Sequence, residues 1–483
     1  MPELSMGRAV DWLAEQDPER PAITHEGRTV TRAELARRTN RLARAYAALG
    51  VGQDDLVTIA LPNGIAHYEA AIACWKLGAT PQPVSARLPF VERDAIVALA
   101  DPALVVGVPA GTHGDRPTVD ADFEADPALD DGPLPDRIAA AWKAPTSGGS
   151  TGRPKIIVAG QPATIDPTAL SAFGQRPDGV QLVPGPLYHN APFAFSTRAL
   201  CSGNHLVVLS RFDAEAALAA IEQHRVDWTL LVPTMMQRIW RLGQEVRERY
   251  DVSSLAGVLH LAAPCPAWLK QAWIDWLGPE RVWELYAGTE AQGVTIIRGD
   301  EWLAHPGSVG RPEAGTMRIL DEDGRELPPG EVGEIWMRPK SGPGSTYRYL
   351  GAEPKAIGEG WESLGDLGRF DEDGYLYLAD RLTDMILTGG ANVYPAEVEA
   401  AIDAFPGVRS SCVVGLPDDD LGARVHAIVD TAGTPLDEDA LLAHLGERLA
   451  RYKIPRSLEV VDQPVRDDAG KVRRAQLRAE RIA

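Results

Sequence analysis

The stretch that decides the fold is Thr146-Ser147-Gly148-Gly149-Ser150-Thr151-Gly152-Arg153-Pro154-Lys155. Its three glycines allow the backbone to turn tightly and to bring several N–H groups close to an anion. Four hydroxyl side chains add hydrogen-bond donors, and two cationic side chains add positive charge. The stretch leads into the apolar residues 156–158, so it predicts a phosphate-holding loop joined to a β-strand. It is not a Walker loop, because Lys155 follows a proline and precedes an isoleucine.

Composition limits the class of protein. The 483 residues suffice for about three domains of ordinary size. An apolar fraction of 45% with 46 glycines and 38 prolines is typical of a globular enzyme with many turns. The net charge of −20 argues against a nucleic-acid partner. No secretory leader is evident, and no apolar run approaches the ~20 residues of a membrane helix, so we expect a cytoplasmic protein without a membrane span.

The four cysteines are far apart in the sequence and form no paired metal-ligand spacing. They are Cys74, Cys201, Cys265 and Cys412. Each lies in an apolar segment, so we expect buried free thiols in a reducing compartment.

Short β-type runs alternate with helical patterns through the first 300 residues. A capping box, Thr31-x-x-Glu34, starts one helix, which ends at Gly50. Strand-like runs occupy residues 56–61, 103–108, 180–184, 206–210, 228–233 and 258–263. Strands that alternate with helices predict α/β layers built on a mainly parallel sheet.

The pattern changes twice in the rest of the chain. From about residue 307, short strands are separated by turns such as Asp323-Gly324, which predicts a β-rich subdomain. After Arg381, a strand at 385–387 is followed by a helix at 395–405, strands at 411–415 and 426–429, and a helix at 436–449. We therefore predict a large N-terminal domain at residues 1–382 and a small α+β domain at 383–483.

Together with four later segments, the loop resembles the ANL superfamily of adenylate-forming enzymes, which includes acyl-CoA synthetases, adenylation domains and luciferases. The later segments are residues 286–290 (YAGTE), 365–366 with 371–375, 381–386 running into Gly389-Gly390, and Gly470-Lys471. Residues 185–193 (GPLYHNAPF) are most similar to bacterial acyl-CoA synthetases, including the bile-acid–CoA ligase-like and fatty-acid–CoA ligase groups. The resemblance implies a mobile C-terminal cap, with the active site between cap and large domain.

Such an enzyme joins a carboxylate to the α-phosphate of ATP, after which a thiol displaces AMP. The first step brings several anions together, so positive charge and hydrogen-bond donors must neutralise them. The resemblance implies a small-molecule, hydrophobic carboxylic acid as substrate, together with ATP, Mg²⁺ and CoA. It leaves open whether the chain works as a monomer or a homodimer.

The resemblance also assigns site residues. Lys471 is expected to touch the substrate carboxylate and the α-phosphate together, Thr289 to donate to the α-phosphate, and Glu290 to hold Mg²⁺. In the family, the Tyr286 position stacks on adenine, and Asp366 with Arg381 binds the ribose. The whole expected ATP and AMP site comprises Thr146, Ser147, Gly148, Gly149, Ser150, Thr151, Gly152, Lys155, Ala263, Tyr286, Ala287, Asp366 and Arg381.

The acyl pocket and the thiol path have their own candidates. The acyl pocket is expected at His189, Ala262 and Gly288, where small residues leave room for a bulky, polycyclic or aromatic acid. His189 is interpreted as a wall or gate, and a core or surface histidine is the alternative. Gly389 and Gly390 are expected to admit the pantetheine arm of CoA, and an ordinary hairpin turn is the alternative.

Four positions depart from the family pattern. Asp380 stands where glycine is usual, and Thr383 stands where a charged pivot between cap orientations is common. Ala287 replaces a common glycine, and Ala469 replaces a common threonine. None of these changes removes a group needed for phosphate chemistry, so they concern the switching of the cap.

Three functions stay open at this point. An acyl-CoA synthetase is the first, and an acid:acyl-carrier-protein ligase that uses the same adenylate is the second. The third is a nucleotide-binding regulatory protein without catalysis, which predicts the loss of Lys471, Glu290 or Asp366. All three residues are present, which favours an enzyme.

Overall fold

The computed structural model describes residues 3–148, 154–169, 173–388, 391–418, 420–467 and 470–482. The helices are α1 (Met6–Gln16), α2 (Arg32–Ala48), α3 (Ile65–Lys76), α4 (Phe90–Ala100), α5 (Asn190–Cys201), α6 (Ala214–His224), α7 (Pro233–Trp240), α8 (Gln244–Arg247), α9 (Ala267–Leu277), α10 (Gly299–Ala304), α11 (Pro395–Asp403), α12 (Glu438–Gly446) and α13 (Arg474–Ala479). Short 3₁₀ turns lie at Pro279–Arg281 and Arg451–Lys453.

The strands up to residue 287 are β1 (Leu4–Ser5), β2 (Pro21–His25), β3 (Arg28–Thr31), β4 (Leu56–Ile59), β5 (Thr80–Pro83), β6 (Leu104–Val106), β7 (Thr118–Val119), β8 (Thr146–Gly148), β9 (Pro154–Ala159), β10 (Thr164–Ile165), β11 (Val180–Val183), β12 (His205–Val208), β13 (Trp228–Leu231), β14 (Gly257–His260) and β15 (Val282–Ala287). The later strands are β16 (Val294–Arg298), β17 (Arg311–Ala314), β18 (Thr316–Leu320), β19 (Gly333–Arg338), β20 (Tyr347–Leu350), β21 (Lys355–Ile357), β22 (Trp361–Phe370), β23 (Leu376–Arg381), β24 (Ile386–Thr388), β25 (Ala391–Val393), β26 (Ser410–Asp418), β27 (Gly422–Asp430) and β28 (Ser457–Val461).

A nine-stranded sheet is the centre of the large domain. Its order is β17-β16-β15-β14-β13-β11-β12-β2-β3. The strands from β15 to β2 run parallel, and antiparallel pairs close both edges. A second, four-stranded parallel sheet has the order β5-β4-β6-β7. The predicted α/β layers with mainly parallel pairing are confirmed.

The helices start where the sequence places their caps. The Thr31 side chain accepts a hydrogen bond from the Glu34 backbone N–H at 3.2 Å, and α2 begins at the next residue. Helix α3 is buried on nearly every face, because it packs between α1, α2 and the four-stranded sheet. Its Trp75 and Tyr68 are among the largest fully buried side chains.

The β-rich region follows the main sheet. Strands β18, β19, β22 and β21 form an antiparallel sheet, with β23 paired to β22. Strands β20, β9 and β8 form a separate antiparallel sheet that joins residues near 350 to the phosphate-loop segment. Both sheets lie next to the carboxyl end of β15, so they bring distant segments to one place.

The C-terminal unit is a small α+β layer structure. Strands β26, β27 and β28 form one sheet, and α11, α12 and the hairpin β24-β25 pack with it. Its apolar core includes Val398, Ile402, Val413 and Leu441, all nearly free of solvent contact. The boundary near Leu382 stays a prediction, although β23 ends at Arg381 and a turn follows it.

Three of the four cysteines are buried, Cys265 is half-buried, and all four are free thiols. None of the helices in the described segments is long and apolar enough to cross a membrane.

Candidate active site

Three residues that the sequence predicts to bind the nucleotide come from three strands and contact one another. The Tyr286 hydroxyl of β15 donates to Asp366 Oδ2 at 2.8 Å. Arg381 Nε lies 3.3 Å from Asp366 Oδ1, because β22 and β23 pair with these two residues opposite each other. Burial, and then the charge of Asp366, raises the pKa of Tyr286 well above its usual value, so the phenol remains a donor. A carboxylate held in this way keeps free lone pairs for ribose hydroxyls.

Asp366 lies within a strand rather than in a simple turn. Strand β22 runs through the Gly365-Asp366 motif, and its register shifts between Leu367 and Gly368. Gly365 has φ +80°, and nothing lies within 4 Å of a Cβ built on it. Glycine is therefore needed there for its backbone conformation, which turns the Asp366 side chain within the strand.

Glu290, the predicted magnesium ligand, is buried and has two partners. Lys155 Nζ donates to Glu290 Oε1 at 3.1 Å, and the Tyr349 hydroxyl donates to the same oxygen at 2.5 Å. Lys155 also donates to the Tyr349 hydroxyl at 2.9 Å. Strands β9 and β20 pair side by side, which brings Lys155 and Tyr349 together although they are far apart in the sequence. Burial and the neighbouring Glu290 raise the pKa of Tyr349, so its hydroxyl stays protonated.

This carboxylate fits a magnesium ion that arrives with ATP. Mg²⁺ usually takes one or two protein carboxylates and fills its other positions with phosphate oxygens and water. Among the described residues, no group of three or more His, Cys, Asp or Glu side chains could hold a metal by itself. Glu290 would supply the protein ligand, and the ion would neutralise phosphate charge.

Gly288 makes room for Glu290. A Cβ at Gly288 would lie 2.3 Å from Leu364 Cδ1 and 2.9 Å from Glu290 Oε2. Any side chain at this position would therefore displace Leu364 and the carboxylate. Thr289, between these two residues, is half-buried, and Ala287 ends β15 opposite Val294.

Ala262 and Ala263 follow β14 at the same edge of the sheet. Ala262 is exposed and has φ +76°, a left-handed conformation that is uncommon for a residue with a side chain. Ligands of parallel α/β sheets bind outside the carboxyl ends of the strands, which is where this loop lies. Strained backbone of this kind is frequent at functional sites.

His189 precedes the first turn of α5 and is neutral. Burial, and then the charge of Lys471, lowers the pKa of His189 to about 3. Its Nε2 lies 4.0 Å from Asp467 Oδ2 and has no hydrogen-bond partner among the described residues. The ring therefore stands between the acyl segment and the C-terminal loop.

Lys471 lies on a tight C-terminal loop that reaches this cleft. Its backbone N–H donates to Asp467 Oδ1 at 2.9 Å, and its carbonyl accepts from the Asp467 N–H at 2.8 Å. Gly470 has φ +75°, and a Cβ there would lie 2.9 Å from Thr234 Oγ1 on α7. The loop thus packs directly against the large domain and needs glycine to do so.

The charged groups that act on Lys471 include predicted nucleotide-binding and metal-binding residues. Desolvation by the surrounding chain lowers the pKa of Lys471, although the residue is exposed to solvent. Asp467 and Glu290 act in the opposite direction, and Arg381 adds to the lowering. The predicted catalytic lysine, metal ligand and ribose residue are therefore electrostatic neighbours.

Two residues that sequence reasoning missed belong to this region. One is Tyr349, described above. The other is Lys143, which is 8% exposed and donates to Asn190 Oδ1 at the start of α5, with its Nζ 4.6 Å from the Trp142 ring centre. Burial, and then Arg198, lowers the pKa of Lys143 to about 7. Neither residue carries a local motif, because each is defined by a partner far away in the sequence.

The remaining predicted positions belong to the phosphate-loop stretch and to the Gly389-Gly390 pair. Thr146, Ser147 and Gly148 form β8 and pair with the segment of Lys155. The predicted loop residues Gly149, Ser150, Thr151 and Gly152 lie outside the described residues, as do Gly389 and Gly390. The individual roles of all site residues stay predictions.

Residues 10–350 match the family of AMP-binding enzymes, and residues 397–471 match the AMP-binding enzyme C-terminal domain. The chain belongs to the AMP-binding enzyme family. It is 36% identical over 488 residues to a feruloyl-CoA synthase from Amycolatopsis sp, with 96% of each chain covered. It is 30% identical to a fatty acid–[acyl-carrier-protein] ligase from Streptomyces coeruleorubidus, over 96% of this chain and 94% of that protein.

A solved structure extends the likeness to the fold. The o-succinylbenzoate CoA synthetase from Bacillus subtilis, in complex with its acyl-adenylate intermediate, has a TM-score of 0.82 and 26% identity. The likeness covers 99% of this chain and 98% of that one. The adenylate-forming fold expected from the sequence is confirmed. The chain is an AMP-forming acid–thiol ligase of the acyl-CoA synthetase type, with ATP and CoA as cosubstrates and Mg²⁺ as cofactor.

Proposed function

We propose that this enzyme activates an aromatic or other ring-bearing hydrophobic carboxylic acid and transfers the acyl group to CoA. The observation that carries the proposal is that the loop of Gly470 and Lys471 packs against Thr234 of the large domain, which brings Lys471 into the electrostatic environment of Glu290 and Arg381. An ammonium in that environment can neutralise a carboxylate and an α-phosphate as they approach each other.

The roles follow from the chemistry of the groups. Asp366 and Arg381 bind the ribose, and Tyr286 stacks on adenine. Glu290 holds the metal ion, and Lys155 turns from Glu290 to the phosphates when that ion is bound. Lys471 then stabilises the transition state of adenylation, in which the acid oxygen attacks the α-phosphorus and pyrophosphate leaves.

The class of acid is inferred in part from aromatic side chains that pack around α5, the helix that follows His189. Phe195 on α5 stacks on Trp228 with ring centres 5.8 Å apart, and Phe173 meets Phe195 edge to face at 5.7 Å. Leu261 and Leu285 belong to the same apolar cluster. Phe195 belongs to α5, which follows the acyl segment, and Leu261 belongs to the loop after β14. Phe173 and Phe195 are half-buried, and their rings would suit a flat or ring-bearing apolar ligand.

The names of similar proteins support this class of acid. One relative is a feruloyl-CoA synthase, and the similar solved enzyme acts on o-succinylbenzoate. The test is pyrophosphate release with a panel of cinnamic, polycyclic, alkanoic and amino acids. Ring-bearing acids are expected to give the highest kcat/KM. Strong activity with amino acids alone, or with straight-chain acids alone, would refute the proposed acid class.

A carrier-bound phosphopantetheine thiol is the second candidate acceptor, because one relative is a carrier-protein ligase. The same preformed adenylate should be offered to free CoA and to a holo carrier protein. Thioester formation with free CoA, with a KM for CoA in the usual range of about 1 μM to 1 mM, supports the proposal. Transfer to the carrier alone would move the chain to the second class.

Two finer points are proposed with the function. A reducing cytoplasm suits four free cysteines, three of them buried. Light scattering on the purified chain would decide between a monomer and the homodimer that the sequence left open.

A further inference from the structure

Helix α11 lacks a capping side chain of its own. Its N-cap residue, Tyr394, makes no side-chain hydrogen bond to the first turn. Instead, Asp380 at the end of β23 reaches across, and its Oδ2 accepts from the Ala396 N–H at 2.8 Å. The other oxygen accepts from the Arg381 N–H at 2.7 Å. A carboxylate from outside the C-terminal unit therefore caps α11, the first helix of that unit.

The other end of α11 is held from the same side. Gln237 Nε2 on α7 donates to the Asp403 carbonyl at 3.1 Å. Arg241, which follows α7, donates to the same carbonyl at 3.0 Å and to the Arg409 carbonyl at 2.9 Å. The last carbonyl of α11, which has no partner within the helix, thus receives two donors from the large domain.

These contacts match the dipole of the helix. An anion is favourable at a helix N-terminus and a cation at its C-terminus. Here Asp380 supplies the anion, Arg241 supplies the cation, and both belong to residues 1–382. Because the two contacts lie at opposite ends of a nine-residue helix, about 13 Å apart, they define an orientation as well as a position.

Helix α7 connects this contact to the catalytic lysine. Thr234 near its start packs against Gly470, next to Lys471, while Gln237 and Arg241 at its end hold α11. One helix of the large domain therefore contacts two separate parts of the C-terminal unit. A shift of α11 away from α7 would also carry Lys471 away from Glu290.

We propose that Asp380, Gln237 and Arg241 are positioning residues for adenylation, which clamp helix α11 at both ends and so hold Lys471 in the active-site cleft. The inference rests on the proposed role of Lys471 in adenylation. It also gives a purpose to Asp380, which stands where related enzymes usually have glycine. The clamp must open whenever the C-terminal unit turns, so its strength should favour the first half-reaction over the second.

The test separates the two half-reactions in Asp380→Ala and Arg241→Ala. Adenylation is measured by ATP–pyrophosphate exchange, and thioester formation is measured in single turnovers from presynthesised acyl-adenylate and CoA. Each substitution is expected to slow adenylation about tenfold, as for the loss of one charge-assisted hydrogen bond. The thioester step should stay equal or become faster. Asp380→Asn, which keeps one acceptor oxygen, should recover part of the adenylation rate.

Matched controls exist on the neighbouring helix α12. Asp437 caps α12 through the Ala440 N–H at 3.0 Å, and Arg448 donates to the His444 carbonyl at 3.1 Å. Asp437→Ala and Arg448→Ala remove equivalent groups, but their partners lie within the C-terminal unit. They should lower thermal stability as much as the clamp variants do and leave the ratio of the two half-reactions unchanged.

A distance measurement tests the clamp without catalysis. Spin labels at the exposed positions Gln223 and Gln463, introduced as cysteines, report the separation of the two units. A narrow distribution in the parent and a broader one in Asp380→Ala/Arg241→Ala support the clamp, even if no tested acid is adenylated. An unchanged distribution, or equal loss of both half-reactions in the clamp variants, would overturn it.

Discussion

Replacement of Lys471 by alanine should separate the two chemical steps of this enzyme. The charges of Glu290, Arg381 and Asp467 act on the lysine side chain, and desolvation lowers its pKa and strengthens its interactions with anions. One preorganised contact to developing charge contributes ~3 kcal/mol to the transition state, or ~10² in rate. We therefore expect Lys471→Ala to slow adenylation by ~10²-fold or more.

The assay measures each step by itself. ATP–pyrophosphate exchange reports adenylation, and a quenched single turnover from acyl-adenylate and CoA reports thioester formation. If Lys471 leaves the cleft before CoA attacks, Lys471→Ala should form the thioester at a near-normal rate. Lys453→Ala is the matched control, since Lys453 pairs with Glu397 at 2.6 Å in the same unit but outside the cleft. Equal loss of both steps in Lys471→Ala, or a similar loss in the control, would refute the reasoning.

The alkaline side of the pH profile gives a second check on the same residue. The ammonium must be protonated to bridge two anions, and its pKa lies below the usual 10.5. Adenylation should therefore fall at a pH below 10.5 as Lys471 loses its proton. Lys471→Arg should remove this alkaline limb, because a guanidinium keeps its charge. An unchanged limb in the arginine variant would assign the titration to another group.

Three further perturbations test the rest of the molecule. Glu290→Gln should raise the Mg²⁺ concentration needed for half-maximal exchange at least ~10-fold, because a neutral oxygen replaces an anionic ligand; an unchanged Mg²⁺ dependence would exclude Glu290 as the ligand. Asp366→Ala should raise the KM for ATP by ~10-fold through lost hydrogen bonds of ~0.5–3 kcal/mol, with little change in the KM of the acid. Burial lowers the pKa of His67 to about 4, so the folded state binds fewer protons and loses stability as the pH falls below 6.5. At pH 5 this costs ~2 kcal/mol, and His67→Gln should flatten the pH dependence of the free energy of unfolding, measured by urea titration, by that amount.

Local patterns were sufficient for the fold class, for several elements and for the nucleotide-binding residues. The capping box at Thr31 predicted the start of α2, and the alternation of strands and helices predicted the parallel sheets. The motif residues Tyr286, Asp366 and Arg381 were named from sequence, and they are in contact in the structure. Motifs succeed here because each one carries its own turn or strand, so its conformation depends on near neighbours.

Long-range register was not accessible to the same reasoning. The strands β16, β17 and β22 were among those missed, because their pairing partners decide them more than their own composition does. Tyr349 meets Glu290 only through the pairing of β20 with β9, across nearly two hundred residues. From the sequence, Asp380 was noted only as a departure from the family pattern. Its hydrogen bond with the Ala396 N–H depends on where the C-terminal unit packs. Such contacts belong to the tertiary structure and leave no periodic signal.

The pairing of charges in the cleft explains how a chain with a net charge of −20 can bind a polyanion. Three predicted site cations each have a carboxylate nearby: Lys155 pairs with Glu290, Arg381 pairs with Asp366, and Asp467 acts on the charge of Lys471. These anions offset the positive charges and help to orient the side chains before the nucleotide arrives. When ATP binds, its phosphates replace the carboxylates as partners of these cations. Mg²⁺ then replaces Lys155 as the positive charge next to Glu290. Because affinity reflects only the difference between the two sets, a strongly acidic protein can still hold ATP and later release AMP.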